Sequence, residues 1–104
     1  MKKKTLLLIE DEANLRNSLA FILGEQGYEV FSAETGEEGL ELAHSRSVDL
    51  ALVDIGLPGL DGFEVAERLS SLRRERGLRI VFLTGSDAED DMVRALEGLA
   101  DDYV

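Results

Sequence analysis

The chain has 104 residues, 44% hydrophobic and 32% charged, which supports one packed domain and excludes a disordered polar chain. Its 11 Lys and Arg stand against 22 Asp and Glu, a net charge of -11 that argues against direct nucleic-acid contact or an anionic membrane and leaves room for an acid cluster that binds a cation. Cysteine is absent, which excludes disulfides, thiolate chemistry and Cys-ligated metal centres.

The opening "MKKK" resembles the start of a signal peptide, but the apolar run that follows, Leu6 to Ile9, gives way at once to the acids "EDE". That run is also far too short to span a bilayer, so a soluble, cytoplasmic protein is expected. "TLLLI" (5–9) reads as the first strand. Leu15, Leu19, Ile22 and Leu23 then follow helical spacing, with Gly27 as a stop. "EVFSA" (29–33) is the second strand. The second helix starts from a Thr35–Glu38 capping box and carries Leu40 and Ala43. "VDLALVD" (48–54) is the third strand. Asp61 and Glu64 form an acidic variant of the box before Phe63, Ala66, Leu69 and Leu72, and Gly77 ends that third helix. "RIVFLTG" (79–85) is the fourth strand. A fourth helix starts from Ser86 and Glu89 and carries Met92, Val93 and Leu96; Tyr103 and Val104 begin a fifth strand.

The first, third and fourth strands are almost continuously apolar, as expected of parallel strands covered on both faces. Strict alternation of strand and helix predicts an α/β fold, a parallel sheet with right-handed crossovers and helices on both sides.

The notable polar residues fall where such strands end. Glu10, Asp11 and Glu12 follow the first strand, Asp54 closes the third, and Thr84 closes the fourth ahead of Gly85 and Ser86. In an open α/β sheet the ligand crevice lies at the C-terminal strand ends. Taken singly, each has an ordinary explanation: "EDE" as acid decoration of a helix start, Asp54 as a turn former, Thr84 as a strand residue. Together they describe an all-oxygen site. Clustered carboxylates repel unless a cation neutralises them, and with no His or Cys nearby the hard cation Mg²⁺ suits them. Asp54 is then a candidate nucleophile toward a phosphoryl group, since carboxylates form acyl phosphates. Gly56, Pro58, Gly59 and Gly62 read as a shaped turn that brings backbone close to this site. His44 lies near the end of the second helix and reads as an exposed residue of its last turn, and "RRERGLR" (73–79) as a solvated helix end.

Along its whole length the chain resembles the receiver domain of two-component response regulators, the CheY-like family. The resemblance rests on "LLLIEDE" (6–12), "DLALVDIGLPGLDG" (49–62), "IVFLTGSD" (80–87) and "ADDYV" (100–104), of which the second, with its D-x-x-L-P-G-x-D-G pattern, is the most specific. It implies a flavodoxin-like, doubly wound parallel sheet in the order 2-1-3-4-5 and a single receiver domain over residues 1–104. Asp54 corresponds to the phosphoacceptor, Asp11 to the direct Mg²⁺ ligand, Glu10 to an acid that acts through water, and Gly56 to a metal-binding carbonyl. Thr84 corresponds to the hydroxyl that engages the phosphoryl group and Tyr103 to the aromatic switch coupled to it. The implied partner is a sensor histidine kinase, and the domain is a signalling module rather than an enzyme, catalysing at most its own phosphorylation and dephosphorylation.

Two departures from the family pattern stand out. Leu99-Ala100 occupies a place where Gly-Ala is usual. The family lysine that pairs with the phosphoryl group would fall two residues after Val104, so strand five is expected to be incomplete, and helix five missing. Lys2, Lys3 and Lys4 stand at the opposite end of the first strand, roughly 16 Å from Asp11, beyond reach of the site. A second reading therefore stands beside the first: a truncated, phosphorylation-impaired module that exposes a sheet face and forms a homodimer or a domain-swapped dimer. The "ADDY" ending resembles DNA-binding regulators of the winged-helix class.

Overall fold

The computed structural model describes residues 3–83 and the backbone of residues 102–103. The elements are β1 (Thr5–Ile9), α1 (Ala13–Glu25), β2 (Glu29–Ala33), α2 (Gly36–Ser45), β3 (Leu50–Asp54), α3 (Gly62–Arg68), α4 (Ser70–Arg76), β4 (Arg79–Leu83) and β5 (Asp102–Tyr103). The strands form one parallel sheet in the order β2-β1-β3-β4-β5, the expected order. The predicted helix after Ser86 lies outside the described residues.

Each strand divides its side chains between two layers, because successive residues point to opposite faces. Leu7 and Ile9 of β1, Ala51 and Val53 of β3, and Ile80 and Phe82 of β4 join one buried cluster with Ala43 of α2, Phe63, Val65 and Ala66 of α3, and Leu69 and Leu72. Phe63 meets Phe82 edge to face, with centroids 5.1 Å apart. Fully burying a side chain such as Leu7, Ile9 or Ile80 contributes about 1.5–3 kcal/mol.

Helix boundaries follow the predicted caps. The Thr35 hydroxyl accepts the Glu38 amide at 3.1 Å and the Asp61 carboxylate accepts the Glu64 amide at 3.0 Å. Gly77 ends α4 in the left-handed region at φ 71°, where a side chain would be strained. His44 is exposed in the last turn of α2, as expected.

Two expectations need correction. The third predicted helix is two segments, α3 and α4, meeting at Leu69 (φ -84°, ψ -5°). The Ser70 hydroxyl donates to the Glu67 carbonyl at 2.6 Å and the Leu72 amide bonds back only three residues, to Leu69, so the turn tightens there. β3 starts at Leu50 rather than Val48. Asp49 instead clamps β1: its carboxylate accepts the Thr5 amide at 2.7 Å, its amide donates to the Thr5 carbonyl at 2.9 Å, and its carbonyl accepts the Arg79 amide at 3.1 Å. The helix α1 buries none of its residues completely. It packs over β1 and β2, but Leu23 shares an open groove with Leu6, Leu50 and Leu52, and Leu15, Phe21 and Ile22 are exposed. Among the described residues α1 is the one helix on that side, whereas α2, α3 and α4 cover the other.

Candidate functional site

Parallel pairing carries the acids to one edge. β1 lies between β2 and β3, with Ile9 opposite both Ala33 and Val53, so the residues that follow Ile9 emerge beside Asp54. Glu10, Asp11 and Asp54 each bring a carboxylate oxygen within 4.8 Å of the others. Glu10 is buried, with 4% of its surface exposed, Asp54 is half-buried and Asp11 is exposed.

Glu10 is held from two sides. Its amide donates to the Ala33 carbonyl at 3.0 Å, and its carboxylate accepts the Glu12 amide at 3.0 Å. Its carboxyl is pushed up to about 7, first by burial and then by the charge of Asp54 and hydrogen bonds shared with Asp54 and Asp11; the Glu12 amide works in the opposite direction. A buried carboxyl pressed against two other acids is the electrostatic condition a divalent cation relieves. The donor set is entirely oxygen, which suits Mg²⁺ or Ca²⁺.

Asp54 sits on a built platform. Its carboxylate accepts the Gly56 amide at 3.0 Å. Its backbone pairs with Leu83 of β4, and the next amide, Ile55, donates to the Leu83 carbonyl at 3.3 Å. The loop then folds back, so that the Gly62 amide reaches the Ile55 carbonyl at 3.3 Å. A Cβ on Gly62 would collide with the Asp54 carbonyl and would lie 2.8 Å from the Ile55 Cα. The glycine is therefore needed for the close approach of α3 to the strand end.

Of the residues singled out from the sequence, the fold brings Glu10, Asp11, Asp54 and Gly56 together. Thr84 follows Leu83, the strand partner of Asp54, but lies outside the described residues. The backbone of Tyr103 pairs with Phe82, and its side chain lies outside the described residues. Glu12 has a different role from its neighbours. Its carboxylate caps α1, accepting the Asn14 amide at 3.1 Å and the Leu15 amide at 2.7 Å.

Sequence reasoning missed Arg16. One amino nitrogen of its guanidinium donates to the Glu10 carbonyl at 3.0 Å and the Asp11 carbonyl at 3.4 Å, and the other faces the Glu34 carboxylate at 3.8 Å. Its position offered a signal, because a cation near a helix N-terminus opposes the helix dipole and calls for a local compensating partner.

The comparisons with known proteins agree with this geometry. The sequence profile of the response regulator receiver domain matches residues 6–104. The chain is 45% identical over 100 residues to the transcriptional regulatory protein AfsQ1 of Streptomyces coelicolor, covering 96% of this chain and 43% of that protein. It thus spans less than half the length of that relative. Among solved structures, the CheY-like receiver domain protein of Methanospirillum hungatei superposes with a TM-score of 0.87 at 32% identity, covering 99% of this chain and 81% of that one. The response regulator TrrA of Thermotoga maritima, in complex with Mg²⁺ and a beryllium fluoride, superposes with a TM-score of 0.81 at 36% identity, covering 97% and 84%. A parallel α/β sheet, acids converging at its C-terminal edge and a profile match over nearly the whole length have one explanation: the chain belongs to the response regulator receiver domain family.

Proposed function

We propose that this chain is a phosphoacceptor switch module, in which Asp54 takes a phosphoryl group from a sensor histidine kinase. The observation that carries the reading is the convergence of Glu10, Asp11 and Asp54 around one point at the sheet edge, with Asp54 held by Gly56 and Leu83. A carboxylate oxygen of Asp54 attacks phosphorus and forms the O–P bond of an acyl phosphate. The P–N bond of the donor phosphohistidine breaks, and its electron pair stays on the imidazole nitrogen. With acetyl phosphate as donor, a P–O bond breaks instead and acetate leaves.

Glu10, Asp11 and Asp54 would hold Mg²⁺, with the Gly56 carbonyl as a further ligand, and the neighbouring TrrA complex supports that choice of ion. The chemistry a bound Mg²⁺ supplies is neutralisation of the clustered acids and of the phosphoryl oxygens. Thr84, next in sequence to the strand partner of Asp54, is assigned the hydrogen bond to the phosphoryl group. Tyr103, on the strand beside β4, is assigned the coupled switch. Receiver domains are signalling modules rather than classical enzymes. A cytoplasmic location accords with the reading, and among the described residues no helix is long and apolar enough to cross a membrane.

The test is intact-mass spectrometry after incubation with acetyl phosphate and Mg²⁺. One phosphate adduct is expected on the wild type and none on Asp54→Ala. An adduct that survives in Asp54→Ala refutes the assignment. A second reading, self-association, draws on the exposed Phe21 and Ile22 and the open groove beside Leu23. Gel filtration decides it, and a monomer at every concentration rules it out.

A further inference from the structure

We propose that Arg16 is the positioning residue of the cation site, setting the direction of the Asp11 carboxylate through the hydrogen bonds of one guanidinium nitrogen to the carbonyls of Glu10 and Asp11. The inference rests on the cation-site reading above. The two carbonyls that Arg16 engages, of Glu10 and Asp11, belong to the two peptide planes that flank the Asp11 Cα. Fixing both planes fixes where the Asp11 side chain leaves the backbone. The second plane is held at its other end as well, since its N–H is the Glu12 amide that donates to the buried Glu10 carboxylate. Asp11 itself is exposed and lies just before α1, so its backbone has no strand or helix ladder to hold it.

The geometry also shows why arginine stands there. One amino nitrogen serves the two carbonyls while the other faces Glu34, at the start of the turn between β2 and α2. A lysine's single ammonium could meet the two carbonyls but not Glu34 as well. The Arg16 side chain is only 16% exposed, whereas Glu34 is 63% exposed, so the ion pair itself is a minor contribution and the carbonyl contacts are the main ones. Arg16 also brings positive charge toward a site meant for a cation. By charge alone its removal would tighten Mg²⁺ binding, and by positioning it would weaken it. The two accounts predict opposite signs.

The experiment is Mg²⁺ titration by calorimetry on the wild type, Arg16→Ala and Arg16→Met, together with amide hydrogen exchange at Glu12 in metal-free protein. Groups that orient metal ligands are worth about tenfold or more in affinity. The expected result is a Kd about tenfold weaker for Arg16→Ala and for Arg16→Met, although each removes a positive charge from beside the site, and faster Glu12 exchange in both. Circular dichroism checks that the fold persists, and Arg16→Met, which keeps the reach of the side chain without its donors, carries the test if Arg16→Ala does not fold. An unchanged or tighter Kd in either variant overturns the inference while leaving the cation site intact. A wild type that takes up no Mg²⁺ overturns the cation-site reading and this inference with it.

Discussion

Glu10 couples the proton and the metal. Its carboxyl is buried and pushed up to about 7, so below that pH the metal-free site carries a proton that Mg²⁺ must displace. With a midpoint of about 7, about one tenth of the Glu10 carboxyls are ionised at pH 6 and about nine tenths at pH 8. Apparent Mg²⁺ affinity should therefore rise about tenfold between these pH values, with close to one proton released per ion bound at the lower one. The metal-free fold has the opposite sign. A carboxyl raised from 4.5 to about 7 contributes stability that is fully present below pH 4.5 and is lost as pH rises through about 7. Saturating Mg²⁺ should cancel that loss. Calorimetry in two buffers of different ionisation enthalpy measures the released proton, and thermal melts with and without Mg²⁺ measure the stability change. Glu10→Gln should remove both pH dependences and weaken Mg²⁺ binding at pH 8. A wild-type affinity that stays flat from pH 6 to pH 8, or a slope that persists in Glu10→Gln, refutes the reasoning.

Asp11→Ala should weaken Mg²⁺ binding, whereas Glu12→Ala should leave the Mg²⁺ Kd unchanged and cost about 1 kcal/mol in a denaturant melt, because Glu12 is a helix cap. Equal losses of Mg²⁺ affinity in the two variants would contradict that division of labour. Gly62→Ala should cost about 1–3 kcal/mol, since the added methyl meets the backbone at Asp54 and Ile55 rather than a side chain that can turn away; a neutral melt would contradict the close approach. Phe82→Ala removes a fully buried ring stacked edge to face on Phe63 and should cost about 3–5 kcal/mol, measured by urea unfolding.

β1 and β2 were legible to the residue, since each is a short β-prone run bounded by charged or turn-forming residues. The strand order was legible from the family resemblance rather than from periodicity. Helical spacing in α1 identified the helix but not its partial burial, because periodicity reports which face is apolar and not whether anything covers it. The break at Leu69 was hidden because Leu69 and Leu72 keep their places on the apolar face while the Ser70 hydroxyl tightens the turn beneath them. At the site, the convergence of Glu10, Asp11 and Asp54 was legible because strand ends in a parallel sheet are a predictable place. Glu12 was grouped with them because composition cannot tell a cap from a ligand. Arg16 was missed because its partners are main-chain carbonyls, which carry no residue identity to read.

The Asp49 clamp lies at the far end of the strands from the acids, about five strand residues or roughly 16 Å away. Parallel strands rich in leucine and valine have little in their own side chains to resist sliding past one another. A slip of β3 by one residue would move Asp54 by about 3.3 Å along the strand and turn it to the other face of the sheet. By gripping both the amide and the carbonyl of Thr5, Asp49 favours the observed alignment. Whether three carboxylates can share one ion is thus decided where β1 and β3 begin, by a residue that never approaches it.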